Sequence, residues 1–179
     1  MKDFLKEVLN TGLYLLTVLA ITYLFITFVA QRTEVSGSSM ESTLSDGDNL
    51  ICDKISYRFN HPQRFDIIVF PFEHGKNIYY IKRIIGMPGE TVRIDWEGNI
   101  YINGQILHEN YGREIILDPG IAEDEIFLNE GEYFVLGDNR NNSSDSRDPG
   151  VGVIHRNRII GKAFVRIYPF SKFGLLKHQ

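Results

Sequence analysis

The sequence has a single cysteine, Cys52, so no disulfide can form within the chain and the fold must rest on packing. Neither sign of charge is in surplus. With 19 basic and 23 acidic residues the net charge is −4, which offers no field to hold a polyanion and argues against nucleic acid as a partner. Histidine is sparse and scattered: His61, His74, His108, His155 and His178 show no HExxH or similar ligand spacing and read as surface residues, not a metal centre. Repeats and low-complexity stretches are missing too. A content of 43% apolar and 23% charged residues marks a globular chain, and 179 residues allow one modest domain plus whatever its termini carry.

Against this background one long apolar run stands out. Thr11–Ala30, TGLYLLTVLAITYLFITFVA, carries no charge, and at about 1.5 Å per residue it spans roughly the 30 Å of a hydrocarbon core. A secretion signal cut after Ala30 would need a small residue three positions from the cut, where bulky Phe28 stands. The run therefore reads as an uncleaved transmembrane helix over 11–30, after a short cytoplasmic N-terminus over 1–10. Lys2 and Lys6 before the run against Arg32 after it favour an inside N-terminus, which places 32–179 outside the cytoplasm.

Beyond Arg32 no apolar period of 3.6 is sustained. Short β-branched and aromatic runs alternate with turn signals instead. Strands are expected at Asp66–Phe70, Asn77–Ile85, Thr91–Trp96, Asn99–Ile102, Glu132–Leu136 and Ile159–Ile167, with the clearest hairpin at Asn103-Gly104. The expected fold is mainly β: an antiparallel β core with a small inserted β-ribbon region at about 91–130, preceded by one N-terminal transmembrane helix.

Four stretches carry chemistry: Val35–Leu44 (VSGSSMESTL), Phe65–Phe70 (FDIIVF), Tyr80–Glu90 (YIKRIIGMPGE) and Gly137–Arg147 (GDNRNNSSDSR), the last followed by IGKA at Ile160–Ala163. In this order and spacing they resemble the signature boxes of the bacterial type I signal peptidases, or leader peptidases, in their small single-span Gram-positive-like form. The resemblance runs from the apolar helix to the final strand. It implies that Ser39 is the nucleophile, Lys82 the general base and Ser143 a hydroxyl that orients the lysine amine. It also implies that Arg83, Asp138, Asp145 and Arg147 form a charged support network. No metal or organic cofactor is implied. The implied substrates are secretory preproteins, cut after small residues at −3 and −1, with the lipid bilayer as setting and the secretion translocon as a partner.

The residues support this chemistry on their own terms. A serine hydroxyl is a poor nucleophile without a base, and no histidine falls within the four stretches. A lysine serves only when neutral, which requires its pKa to fall from about 10.4 by roughly three units, a change that burial can supply. If Asn77–Ile85 alternates faces, Lys82 stands between Tyr80 and Ile84 while Arg83 turns away, free to meet Asp138 or Asp145. Val35, Met40, Leu44, Tyr80 and Ile81 flank the pair and are expected to line shallow apolar subsites. Two departures from the family pattern stand out: Ser42 occupies a position where proline is common, and Gly37 occupies one where some members have an oxyanion-donating serine. That leaves the Ser39 backbone N–H as the main expected oxyanion donor, with Ser38 a second candidate. Two alternatives stand beside the peptidase reading. A self-cleaving repressor shares Ser–Lys chemistry, but the apolar span and the lack of a DNA-binding domain argue against it. A catalytically weak or dedicated homologue serving as a scaffold in surface-protein assembly would suit Ser42 but not the intact Ser39 and Lys82.

Overall fold

A computed structural model describes residues 2–72 and 78–176; His74, His178, Asn77 at the start of one predicted strand, and the last residues of the predicted domain lie outside them. Helix α1 covers Lys2–Phe28, and its apolar window has a mean hydropathy of 1.9 with none of it buried against the rest of the chain. The helix thus starts ahead of the apolar run expected over 11–30 and ends two residues short of it. Asp3 to Leu9 are ordinary helix formers with an acidic residue in the first turn, and nothing before Gly12 interrupts the helix, so it begins at Lys2. At the other end Val29 N–H closes the last turn on Phe25, and Ala30 already belongs to the first strand.

The strands follow in chain order as β1 (Ala30–Glu34), β2 (Asn49–Asp53), β3 (Ile67–Pro71), β4 (Tyr79–Gly86), β5 (Thr91–Ile94), β6 (Ile100–Ile102), β7 (Gln105–Ile106), β8 (Ile126–Phe127), β9 (Glu132–Leu136), β10 (Ile154–His155), β11 (Gly161–Tyr168) and β12 (Gly174–Leu175). They form two sheets. The larger runs β1-β2-β11-β3-β4-β9-β10, with β12 added on β11, and the smaller runs β7-β6-β5-β8. Every pairing is antiparallel. The fold is therefore mainly β, as expected. The smaller sheet is inserted between β4 and β9, which are neighbours in the larger one. Its tightest turn is the Asn103-Gly104 hairpin, where both residues have positive φ (50° and 74°), as a two-residue turn between twisted strands requires.

Alternation along β4 decides which way its two basic side chains point. Lys82 lies opposite Ile68 and Arg83 opposite Ile67 on β3. Tyr80, Ile84, Ile68 and Phe70 pack in one apolar cluster with Val135, whereas Ile81 belongs to another with Val35, Met40, Leu44, Leu50, Ile67 and Val69. Lys82 thus rises from the face that carries Tyr80 and Ile84, with Arg83 on the other face.

Candidate active site

The loop over 35–48, between β1 and β2, carries Ser39. Its base is closed by backbone bonds from Val35 N–H to Asp48 O and from Gly47 N–H to Val35 O. Its tip is held by the turn after β9: Asn139 donates its backbone N–H to Ser39 O at 3.0 Å and its side-chain amide to Ser38 O at 3.1 Å, and Asn142 donates to Ser38 Oγ at 2.8 Å. This approach requires glycine at position 137. A Cβ there would sit 2.5 Å from Ser39 O and collide with Ser143 Oγ.

Held this way, Ser39 Oγ accepts a hydrogen bond from Lys82 Nζ at 2.7 Å. Lys82 is 3% exposed, and its Nζ lies 4.9 Å from the centre of the Tyr80 ring. Burial pulls its ammonium down to about 8, against the opposing fields of the Asp145 and Asp138 carboxylates. A base that loses its proton near neutrality is in contact with a hydroxyl.

Behind the pair lie two buried arginine–carboxylate forks. Arg83 donates to Asp138 through Nε (2.9 Å) and Nη2 (2.7 Å), and to the Phe65 carbonyl through Nη1 (2.9 Å). Thr43 Oγ1 donates to Asp138 Oδ2 at 2.5 Å, tying the nucleophile loop to the same carboxylate. The second fork joins Arg147 to Asp145 through Nε and Nη2, both at 2.9 Å, while Gly137 N–H donates to Asp145 Oδ2 at 3.0 Å. Of the two partners left open for Arg83, Asp138 is the one it meets. Paired, bidentate and hydrogen-bonded on the remaining lone pairs, these charges meet the conditions under which burial is tolerated.

Ser143 is brought into the site without bonding Lys82. Its Oγ is buried against Gly137 and has no hydrogen-bond partner among the described residues. The predicted subsites need correction. Met40 and Leu44 are 1% and 0% exposed, locked into the core with Leu50, Ile67 and Val69, and present no surface to a substrate. Val35 and Ile81 belong to the same cluster and show only an edge; Tyr80 alone of the predicted five is half-buried, its ring stacked on Phe72. The reason is volume: large apolar side chains beside a closed loop fill the space under it. Thr43, Asn139 and Asn142 were missed as site residues, although Thr43 lies in VSGSSMESTL and the two asparagines in GDNRNNSSDSR. His61, His108 and His155 are exposed as expected, and no His, Cys, Asp or Glu group among the described residues is arranged to hold a metal.

The family model described as "Signal peptidase, peptidase S26" matches residues 8–168. "Probable signal peptidase I-2" of Synechocystis sp. is 42% identical over 94% of this chain and 77% of its own length. "Signal peptidase I" of Leptolyngbya laminosa is 45% identical over 84% of this chain and 74% of its own, and "Signal peptidase I T" of Bacillus subtilis 37% over 84% and 80%. With a family match across most of its length and a buried lysine on the expected serine, the chain belongs to the signal peptidase, peptidase S26, family.

Proposed function

We propose that this chain is a membrane-anchored serine endopeptidase that removes N-terminal signal peptides from exported preproteins after small residues at −3 and −1. The observation that carries the reading is the 2.7 Å contact between Ser39 Oγ and a Lys82 amine that burial has brought down to about 8. Neutral Lys82 takes the Ser39 proton as Oγ attacks the scissile carbonyl, then gives it to the departing amine. The resulting acyl-enzyme is hydrolysed by water with Lys82 again acting as base. Ser39 N–H, which has no partner among the described residues, is the donor we assign to the oxyanion, and Ser38 Oγ, held by Asn142, lies next to it. The unspent oxygen of Ser143 supports its role in orienting the lysine amine. Arg83–Asp138 and Arg147–Asp145 fix the strand and the turn on which the pair is mounted.

The α1 helix is the membrane anchor, and the bilayer is the surface on which substrate arrives, beside the secretion translocon. Lys2 and Lys6, ahead of the apolar run, favour a cytoplasmic N-terminus and an extracytoplasmic peptidase domain. The test is cleavage of a model preprotein by the full chain in lipid, with the new N-terminus read by mass spectrometry. Wild type should cut after alanine at −1, and Ser39→Ala and Lys82→Ala should make no product. Turnover by either variant, or efficient cutting with phenylalanine at −1, removes the reading.

A further inference from the structure

The inserted region reaches back over the site in one place. Between β7 and β8 the strap Glu109–Arg113 crosses the outer side of the Arg83–Asp138 fork. It is fastened at several points. Arg113 N–H donates to the Asp138 carbonyl at 2.9 Å, the Arg113 guanidinium pairs with Glu41 at 2.9 Å, and Glu109 pairs with buried Arg140 at 2.8 Å while accepting the Tyr111 N–H at 2.7 Å. Position 112 passes close against Arg140, where a Cβ would stand 3.1 Å from Nη1. So fastened, the strap lays the Tyr111 ring flat over Arg83, with the ring centre 3.7 Å from the guanidinium carbon, and on Phe65 at 5.1 Å between centroids.

We propose that Tyr111 is a positioning residue of the peptidase site: its ring closes the solvent side of the Arg83–Asp138 fork, and so keeps Asp138 paired and water away behind Lys82. Tyr111 acts through Arg83, the guanidinium its ring lies over. Arg83 is 0% exposed and Tyr111 half-buried, and the ring covers the guanidinium from the strap side. A guanidinium faced by a π-surface and stripped of water is held there by the ring quadrupole as well as by its carboxylate. The charges that act on Lys82 are the Asp145 and Asp138 carboxylates, paired with Arg147 and Arg83, and the Tyr80 ring lies against its amine. Both carboxylates favour the protonated amine, and each is opposed by its one arginine. Loosening Arg83 frees the Asp138 field and admits water, and both effects hold the proton on Lys82 more tightly.

The inference rests on the Ser39–Lys82 reading, and the experiment separates the two. kcat/KM of the full chain is followed from pH 6 to 10 for wild type and for Tyr111→Phe, Tyr111→Leu and Tyr111→Ala, with melting temperatures alongside. Phenylalanine keeps the ring and should reproduce the wild-type profile. Leucine keeps most of the volume without a π-face, and its acid limb should move up by about half a pH unit or more, roughly threefold in rate at the foot of the limb, converging with wild type at high pH. Alanine should move the limb further if it folds. A leucine variant that is less active or less stable at every pH with the limb unmoved would reduce Tyr111 to packing and overturn the proposal. So would a phenylalanine variant displaced as far as leucine. Neither result touches the Ser–Lys reading, which Lys82→Ala tests by itself.

Discussion

The larger sheet and the inserted four-stranded one are both antiparallel and both made of short, turn-punctuated runs, yet they treat charge in opposite ways. In the insert, alternation is clean: Val92 and Ile94 are buried with Ile100, while Thr91 and Arg93 face outward. Its acidic group Asp95 sits in a surface turn, bonded by Asn99 and Tyr101. In β4, burial is continuous from Ile81 to Gly86, and Lys82 and Arg83 are caught inside it. A buried lysine with a hydroxyl for a partner destabilises a fold, and two forks are needed to keep the surrounding charges in register. The difference separates β structure built for stability from β structure that gives up stability for chemistry.

The largest expected effect tests that exchange directly. Lys82→Met should abolish cleavage and at the same time stabilise the protein. The Lys82 pKa falls from 10.5 to about 8 on folding, and at about 1.4 kcal/mol per pKa unit the buried ammonium costs roughly 3 kcal/mol. The sign follows from proton counts. Between about 8 and 10.5 the unfolded state binds more protons, so wild-type stability rises with pH through that window, and below it the full cost applies. Melting temperature should therefore favour Lys82→Met by several degrees at pH 7 and lose most of that advantage by about pH 10.5. Lys82→Arg should be as inactive, because it stays charged, and without the stability gain. A methionine variant less stable than wild type at pH 7 would mean that the Ser39 contact outweighs the desolvation.

Next in size is a matched pair across the two sheets. Asp145→Ala leaves Arg147 buried without its fork and should cost about 3–5 kcal/mol, with activity falling as the Gly137 turn loosens. Asp95→Ala in the insert should leave cleavage within about twofold of wild type, since its partners Asn99 and Tyr101 lie within the insert and not at the Ser39–Lys82 pair. Equal damage from both would erase the contrast between the sheets.

Activity as a function of pH gives a smaller, graded effect. Free-enzyme kcat/KM should rise about tenfold per pH unit below the limb and level off above about 8, the value to which burial brings Lys82. A rise centred near 10 would describe a solvated lysine and a site more like the insert than like a dry core.

These contrasts were legible in the sequence to different depths. Facing along β4 follows from a period of two, so Lys82 between Tyr80 and Ile84 could be read from YIKRIIG alone, as could the Asn103-Gly104 hairpin from its own two residues. The partner of Arg83 could not, because Asp138 and Asp145 are both within loop reach and only the folded turn after β9 separates them. Met40 and Leu44 looked like subsite walls because they flank Ser39, but flanking in sequence does not say whether a large side chain faces a cleft or the core beneath it. Tyr111 gave no signal at all: the strap that brings it to Arg83 has neither period nor motif.

The smallest expected effect lies at Ser42, a position inside the catalytic half that behaves like the insert. Ser42 is exposed, and its backbone N–H has no partner among the described residues, whereas its neighbour Thr43 is bonded to Asp138 and its carbonyl to Arg166. Proline there removes no hydrogen bond and narrows the unfolded ensemble, so Ser42→Pro should stabilise the fold by about 0.4–1 kcal/mol. A stiffer turn behind the nucleophile should also raise kcat/KM, by no more than about fivefold, the rate equivalent of 1 kcal/mol. The two readouts are the melting temperature and cleavage of the model preprotein. A variant that melts lower or cuts more slowly would mean that the backbone at Ser42 does not suit the proline ring, and that the constraint running from Asp138 through Thr43 extends one residue further along the loop.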